Sequence, residues 1–193
     1  IQDMANAIRQ IASQTEPVGR VLDGWLTKDN LNIQKVSIPI GVIAIIYESR
    51  PNVTSDTAAL CFKSGNVCVL KGGKEAENSN RAIAKIIQDV LEKNNLPKEI
   101  VSLLPDSNRE GVAKLIVEDK YVDLIVPRGG EALIKFITQN SSIPVIKHDK
   151  GVCHTFIDKD ANATKSINIV VNAKCQRPSA CNSLETLLVH EEI

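Results

Sequence analysis

The sequence has few aromatic residues and no net charge. Phe, Trp and Tyr make up 3% of its 193 residues, and 23 Lys and Arg residues balance 23 Asp and Glu residues. Nucleic acids and anionic membranes are bound by clustered positive charge, and single-stranded nucleic acids also stack on aromatic rings. We therefore expect neither nucleic acid nor a membrane among the partners.

Long hydrophobic runs and paired cysteines are also absent. The longest apolar run, residues 38–47, has about half the length of a membrane-spanning helix, so it predicts a buried strand. The five cysteines are odd in number and lack CxxC spacing. Several of them, such as Cys61 and Cys68, lie among apolar residues, where we expect core packing. Reduced thiols and a cytoplasmic location fit this pattern best.

Three neighbouring residues, His148, Cys153 and His154, are of types that bind zinc. A structural zinc site needs four ligands, and no second pair with zinc-ligand spacing accompanies these three. We therefore expect no metal site.

The ends of the sequence suggest a fragment. The chain opens at Ile1 inside an amphipathic helical pattern and stops at Ile193, just after a predicted strand. We expect a longer protein to continue beyond it.

Strand and helix patterns alternate along the chain. Apolar runs at 40–47, 67–71, 100–104 and 124–127 predict strands, and a helical pattern follows each of them. This alternation predicts an α/β fold with an open, mostly parallel, Rossmann-like sheet and helices on both faces. Ligands of such sheets bind beyond the carboxyl ends of the strands.

Two details accompany this prediction. Residues 20–37 predict two strands joined by a polar turn, in which Trp25 is interpreted as a packed core residue, with an assembly contact as the alternative. The helix after the strand at 40–47 has Thr54 or Ser55 as its predicted cap and Gly65 just past its end.

A first glycine turn follows the strand at 67–71. It contains Lys71, Gly72, Gly73 and Lys74 and precedes a helix. The glycines allow a phosphate or ribose to approach the backbone, and the lysines supply positive charge beside the helix N-terminus. The alternative is an ordinary turn with solvated lysines.

A second glycine turn repeats this arrangement after a later strand. It contains Arg128, Gly129 and Gly130. Two anion-tolerant turns on the same edge of one sheet favour a dinucleotide cofactor.

A polar segment, residues 47–52, follows the most buried predicted strand. Its Asn52 can donate an amide hydrogen to an oxyanion that develops on a carbonyl attacked by Cys181. Helix capping is the alternative, and the two roles are compatible.

Cys181 lies in a loop that Pro178 enforces, because proline cannot continue the preceding helix. Its small neighbours leave room for a substrate, and Arg177 is a nearby cation of the kind that stabilises a thiolate. The alternative is a buried cysteine that packs as a small hydrophobic residue. Cys175 is a weaker candidate for the nucleophile.

Five segments together resemble the γ-glutamyl phosphate reductase family, which belongs to the aldehyde dehydrogenase superfamily. They are residues 38–42, 47–52, 70–76, 126–130 and 176–190. The resemblance runs along essentially the whole chain in the family's order, and it covers only about the first half to two-thirds of a complete enzyme.

This resemblance implies NADPH-dependent reduction of L-glutamyl 5-phosphate to L-glutamate 5-semialdehyde with phosphate release, the second step of proline biosynthesis. It implies Cys181 as the nucleophile and Asn52 as the asparagine of the oxyanion hole. It also implies Lys71 as a contact near the adenosine ribose and Gly129 with Gly130 as the nicotinamide-side turn.

Two departures within the resemblance bear on the cofactor and the reaction. Aldehyde dehydrogenases that prefer NAD often carry an acidic residue three positions after the ribose-contacting lysine, whereas Lys74 stands there, which favours NADP(H). Oxidising aldehyde dehydrogenases use a glutamate to activate the water that hydrolyses the thioester, and residues 147–151 contain none at the corresponding place. A reductase does not need that glutamate.

The resemblance further implies a cofactor-binding domain at residues 1–149 and the beginning of a catalytic domain at 150–193. Within the first, residues 20–37 would form a β-hairpin arm that joins subunits of a homo-oligomer. The glutamate 5-kinase that supplies the substrate is a candidate partner.

We expect the Cys181 thiolate to attack the γ-acyl carbon and form a thioester as phosphate departs. Arg177 is assigned to the substrate, either favouring the thiolate or binding phosphate, with a loop-anchoring ion pair as the alternative. Two other functions stay open at this point: a nucleotide-binding module without activity, and a hydrolytic aldehyde dehydrogenase.

Overall fold

The computed structural model describes residues 1–105, 109–147 and 151–193. The chain forms two compact units, Ile1–Lys147 and His148–Ile193. Residues 148–150 lie outside the described residues. They include His148, the predicted domain boundary and part of the segment that lacks the hydrolytic glutamate. That one part binds a cofactor and the other begins a catalytic domain stays a prediction.

The first unit alternates helices and strands after an N-terminal helix and a hairpin. In chain order its elements are α1 (Gln2–Ser13), β1 (Val21–Leu26), β2 (Asn32–Val36), β3 (Val42–Tyr47), α2 (Pro51–Lys63), β4 (Val67–Lys71), α3 (Glu77–Lys93), β5 (Val101–Leu103), α4 (Arg109–Leu115), β6 (Leu124–Arg128) and α5 (Glu131–Asn140). Short 3₁₀ turns at Lys74–Ala76 and Lys98–Ile100 precede α3 and β5.

Four strands of this unit form one parallel sheet in the order β5-β4-β3-β6. Val145 extends it by a single parallel bridge to Ile125. The strand order reverses direction at β3, which is the position where open α/β sheets bind ligands. The predicted α/β fold with an open parallel sheet is confirmed.

Helices cover both faces of the sheet because β3 is apolar on both of its sides. Ile43, Ile45 and Tyr47 pack on the face that α2 and α3 cover, with residues such as Ala58 and Leu91. Successive side chains of a strand point to opposite faces, so Ala44 and Ile46 pack with α4 and α5 instead. A strand covered on both faces needs a continuous apolar run, which the sequence has there.

The hairpin β1–β2 is antiparallel, as predicted, and its strands are almost wholly exposed. Trp25 is 53% exposed, so its interpretation as a packed core residue is wrong for this chain. An alternating apolar pattern predicts a strand but not which layer covers it. Here the hairpin contributes little to the core of its own unit.

The residue types at its two ends explain where α2 begins and ends. Arg50 is the N-cap and Pro51 the first helical residue, so the predicted caps Thr54 and Ser55 are wrong: both are buried inside the helix. Gly65 lies just past the end with a φ of +70°, as predicted. This left-handed residue lets the chain reverse and closes the last turn of the helix.

The second unit contains β7 (Cys153–Ile157), α6 (Ala163–Cys175) and β8 (Leu184–Val189). The two strands pair in parallel, and α6 connects them. Asn162 caps α6, because its side chain accepts a hydrogen bond from the backbone N–H of Lys165 (3.0 Å).

The described part of the chain shows neither a membrane-spanning helix nor a cluster of metal ligands. No helix there combines the length and hydrophobicity needed to cross a membrane. Nor do its His, Cys, Asp and Glu side chains gather in a group of three or more that could hold a metal ion.

Candidate active site

The three segments expected to carry function in the first unit lie side by side at the carboxyl edge of the sheet. Ile46 is paired with Lys71 in β4, and Tyr47 is paired with Arg128 in β6. Residues 47–52, 71–74 and 128–130 therefore leave three adjacent strands at the same edge. Parallel strands place their carboxyl ends together, which is why the sequence could predict this proximity.

The first glycine turn is more closely packed than a solvated turn. The Lys71 side chain is buried, and its Nζ donates to the carbonyl oxygen of Gly72 (3.2 Å), whereas Lys74 is exposed. A Cβ on Gly72 would collide with Nδ2 of Asn80 and lie 3.2 Å from the Tyr47 ring. Glycine is thus required at position 72 by the packing beneath it. Binding of a cofactor by this turn stays a prediction.

Three buried side chains linked by hydrogen bonds lie directly beneath Gly72. Thr54 Oγ1 donates to Asn80 Oδ1 (3.0 Å), so the Tyr47 hydroxyl is the donor in its 2.7 Å contact with Thr54. All three side chains are buried, and they join β3, α2 and α3. Burial raises the pKa of Tyr47, and the hydrogen bond with Thr54 opposes this in part. The network fixes the floor of the turn.

The second glycine turn is bound by an acidic side chain that the sequence analysis did not single out. Glu48 Oε1 accepts a hydrogen bond from the backbone N–H of Gly130 (2.9 Å), at the N-terminus of α5. The Glu48 N–H donates to the carbonyl of Arg128 (3.2 Å). A Cβ on Gly129 would lie 2.8 Å from the Glu48 carboxyl carbon. The turn therefore accommodates an anionic oxygen, here from the protein itself.

The other side of the same edge carries a second acidic contact. Ser49 Oγ donates to Glu75 Oε2 (2.7 Å), just after the first glycine turn. This hydrogen bond is the main reason that the pKa of Glu75 is lowered, and the positive charges of Lys71 and Lys74 act in the same direction. The lysines of the turn thus have an acidic neighbour.

Asn52 is exposed in the first turn of α2, and its Nδ2 donates to Asp56 Oδ2 (3.2 Å). The N-cap of this helix is Arg50, so the interpretation of Asn52 as a capping residue is wrong. An amide nitrogen has two hydrogens, and the second is available for a further acceptor. The oxyanion role of Asn52 stays a prediction.

Cys181 lies in the loop between α6 and β8 of the second unit, and its side chain is exposed. The alternative of a buried structural cysteine is therefore wrong. Two backbone hydrogen bonds shape the loop: Ala180 N–H to the Arg177 carbonyl (2.9 Å) and Ser183 N–H to the Ala180 carbonyl (3.0 Å). Arg177 is exposed, and the role proposed for its guanidinium stays a prediction.

Two further polar groups surround this loop and were not anticipated. The Cys153 thiol donates to the backbone carbonyl oxygen of Cys181 (3.6 Å). The Ser183 hydroxyl is buried without a hydrogen-bond partner among the described residues. Cys175, the weaker candidate for the nucleophile, ends α6 and is exposed as well. Exposure alone does not separate Cys175 from Cys181.

Comparisons with known proteins match the chain along its whole length. The family model described as aldehyde dehydrogenase family matches residues 1–193. A curated protein named γ-glutamyl phosphate reductase from Aliarcobacter butzleri is 80% identical over 193 residues, which are 100% of this chain and 47% of that protein. The chain thus spans about half the length of the curated relatives it matches.

Solved structures agree with the sequence match. The crystal structure of γ-glutamyl phosphate reductase from Thermotoga maritima has a TM-score of 0.91 and 43% identity, covering 100% of this chain and 46% of that chain. The glyceraldehyde-3-phosphate dehydrogenase of Methanocaldococcus jannaschii, in complex with NADP, has a TM-score of 0.65 at 22% identity and covers 97% of this chain and 40% of that one. At that identity the likeness concerns the fold. The full-length family match shows that the chain belongs to the aldehyde dehydrogenase family.

Proposed function

We propose that the chain carries the cofactor turns and the nucleophile of an NADPH-dependent γ-glutamyl phosphate reductase. Such an enzyme reduces L-glutamyl 5-phosphate to L-glutamate 5-semialdehyde and releases phosphate, the second step of proline biosynthesis. The observation that carries the proposal is the 80% identity of all 193 residues to a protein of that name, together with the exposed thiol of Cys181.

The residues at the edge of the first unit fit a nicotinamide dinucleotide. The Gly130 N–H already donates to a carboxylate oxygen, so it can donate to a phosphate oxygen of similar geometry. Gly129 and Arg128 belong to the same turn. At the end of β4, on the other side of β3, Lys71 and the exposed Lys74 supply positive charge on either side of Gly72 and Gly73. We assign Lys74 to the 2′-phosphate that distinguishes NADP from NAD.

The reaction begins at Cys181. Its thiolate attacks the acyl carbon of the substrate, the carbon–oxygen bond to phosphate breaks, and a thioester forms on Sγ. NADPH, when bound, supplies the hydride that reduces this thioester to the aldehyde level. The Asn52 amide and the backbone N–H groups of the Cys181 loop are assigned to the negative oxygen. Removing one such donor typically lowers kcat about 100–1000-fold.

Arg177 is assigned to the phosphate group of the substrate. A guanidinium forms paired hydrogen bonds to phosphate oxygens, and its charge also favours the thiolate form of a nearby cysteine. Arg177→Lys retains the charge but loses the paired geometry, so phosphate binding is expected to weaken more than the reactivity of the thiol.

The test is the reverse reaction, NADP⁺-dependent oxidation of glutamate 5-semialdehyde in the presence of phosphate. It should be run on the 193-residue chain and on a chimaera that adds the remaining half of the 80%-identical relative. We expect a phosphate-dependent rise in NADPH absorbance from the chimaera and none after Cys181→Ala. Activity that survives Cys181→Ala and disappears with Cys175→Ala would transfer the nucleophile to Cys175.

A second candidate function is a nucleotide-binding module without activity of its own. The observation that favours it is the coverage of only 47% of the relative's length. Thermal stabilisation of the 193-residue chain by NADPH, without turnover in the assay above, is the expected result for such a module.

We also propose a homo-oligomer in the cytoplasm that receives its substrate from a glutamate 5-kinase. Support for assembly comes from the hairpin, where Leu22, Trp25 and Leu26 are more than half exposed. Trp25→Glu should shift light scattering of the chimaera towards the monomer. A wild-type chimaera that is strictly monomeric would remove the oligomer from this proposal.

A further inference from the structure

Among the described residues, Cys153 has a thiol that contacts the loop carrying Cys181. It is the first residue of β7 and is partly buried, while Cys181 is exposed. The Cys153 Sγ lies 3.6 Å from the carbonyl oxygen of Cys181. That carbonyl is bonded to the Cα that carries the Cys181 side chain, so both thiols belong to one small neighbourhood.

The scaffold of the second unit holds the two cysteines close. Cys153 is paired with Leu184 of β8, which follows Cys181 by three residues. The Lys174 ammonium donates to the Leu184 carbonyl (2.9 Å) and so ties the end of α6 to the start of the same strand. Both ends of the Cys181 loop are therefore fixed next to β7.

The other thiols are placed differently. Cys61 and Cys68 are buried in the hydrophobic core of the first unit, where a water-borne oxidant has little access. Cys175 is exposed at the end of α6, six residues before Cys181, and serves as an internal comparison.

We propose that Cys153 is the resolving thiol of Cys181 and that peroxide converts the pair into a reversible disulfide. The Cys181 thiolate attacks one oxygen of hydrogen peroxide, giving a sulfenic acid and hydroxide. The Cys153 sulfur then attacks the sulfenic sulfur, and the S–S bond forms as water leaves. The two thiols lose two electrons and peroxide gains them. A dithiol reductant restores both thiols.

The disulfide has two consequences for the second unit. It withdraws the exposed thiol from any electrophile, which switches off chemistry at Cys181 while oxidant is present. It also stops oxidation before the irreversible sulfinic acid. The pairing stands on the geometry of this unit and goes beyond the proposed reductase function.

The experiment uses the reduced 193-residue chain treated with an equal amount of hydrogen peroxide. Free thiols are then blocked with N-ethylmaleimide, and peptides are mapped by mass spectrometry without reduction. We expect a cross-linked peptide pair containing Cys153 and Cys181, lighter by two hydrogens and lost after dithiothreitol. Cys175→Ser should leave this cross-link unchanged.

Cys153→Ser is the decisive variant, because serine retains a donor for the Cys181 carbonyl and replaces the thiol with little change in size. In this variant we expect no cross-link and a several-fold higher yield of Cys181 sulfinic acid. Circular dichroism spectra of the two proteins should coincide, which checks that the variant is folded. A cross-link from Cys181 to Cys175 in the wild type, equal sulfinic acid yields in both proteins, or a Cys181 that stays reduced would each overturn the proposal.

Discussion

Replacing Thr54 with valine tests whether the buried hydrogen bonds beneath Gly72 hold the first glycine turn in place. Valine has nearly the same shape as threonine, so the change removes the hydroxyl and creates no cavity. The Tyr47 hydroxyl and the Asn80 carbonyl oxygen each lose this partner, at side chains that are 2% and 1% exposed. A buried polar group that loses its partner costs about 1–3 kcal/mol. We therefore expect a loss of roughly 2–4 kcal/mol of unfolding free energy.

Hydrogen exchange followed by mass spectrometry suits this test, because it reports on the first unit separately from the second. Peptides from β3 and α3 should exchange faster in Thr54→Val, while peptides from α6 stay unchanged. Thr54→Ser is the matched control, since it keeps the hydroxyl and loses only a methyl group. NADPH affinity should fall in the valine variant and be largely retained in the serine variant. A valine variant within about 0.5 kcal/mol of wild type would refute the role of the network.

Three further changes probe the first unit. Glu48→Gln should tighten NADPH binding about fivefold in a fluorescence titration, because removing a charge beside Gly130 relieves about 1 kcal/mol of repulsion towards a phosphate; unchanged or weaker binding contradicts this. Burial raises the pKa of Tyr47 in the folded chain, so the folded state keeps the phenol proton to a higher pH than the unfolded state does. The contribution of Tyr47 to the free energy of unfolding is therefore complete below about pH 10 and is lost as pH rises through the folded pKa. Alkaline urea unfolding should therefore lose part of its pH dependence in Tyr47→Phe, and an unaltered profile would exclude Tyr47 as the cause. Gly41→Ala should lower the free energy of unfolding by about 1–3 kcal/mol, because φ is +130° there and the new Cβ would meet the Asp123 carboxylate. An unchanged melting temperature would argue against this strain.

The layers and edges of the fold were predictable because they depend on short-range patterns. The run from Val42 to Tyr47 is apolar at every position, as a strand buried on both faces requires. Parallel strands bring their carboxyl ends together, so the proximity of residues 47–52, 71–74 and 128–130 followed from the alternation of strands and helices. Gly65 at the end of α2 followed from the left-handed conformation that glycine adopts at low cost.

What escaped prediction depends on contacts between residues far apart in the chain. Glu48 and Gly130 are 82 positions apart, and no local pattern indicates that a carboxylate reaches that amide. Thr54 looked like a helix cap because threonine favours caps, but here its hydroxyl is committed to Asn80, 26 positions away. Trp25 has the same alternating neighbours whether its face is covered or exposed. The contact of Cys153 with the Cys181 loop likewise depends on the pairing of β7 with β8.

Transfer of an acyl group to Cys181 is the step on which the proposed function depends most. It can be trapped by mixing the chimaera with L-glutamyl 5-phosphate in the absence of NADPH, quenching in acid and mapping the modified peptide by mass spectrometry. The expected result is one glutamyl group on the peptide that contains Cys181, removed by hydroxylamine and absent from Cys181→Ser. A glutamyl group found on Cys175, or no acylation in a protein that still reduces the substrate, would contradict the mechanism.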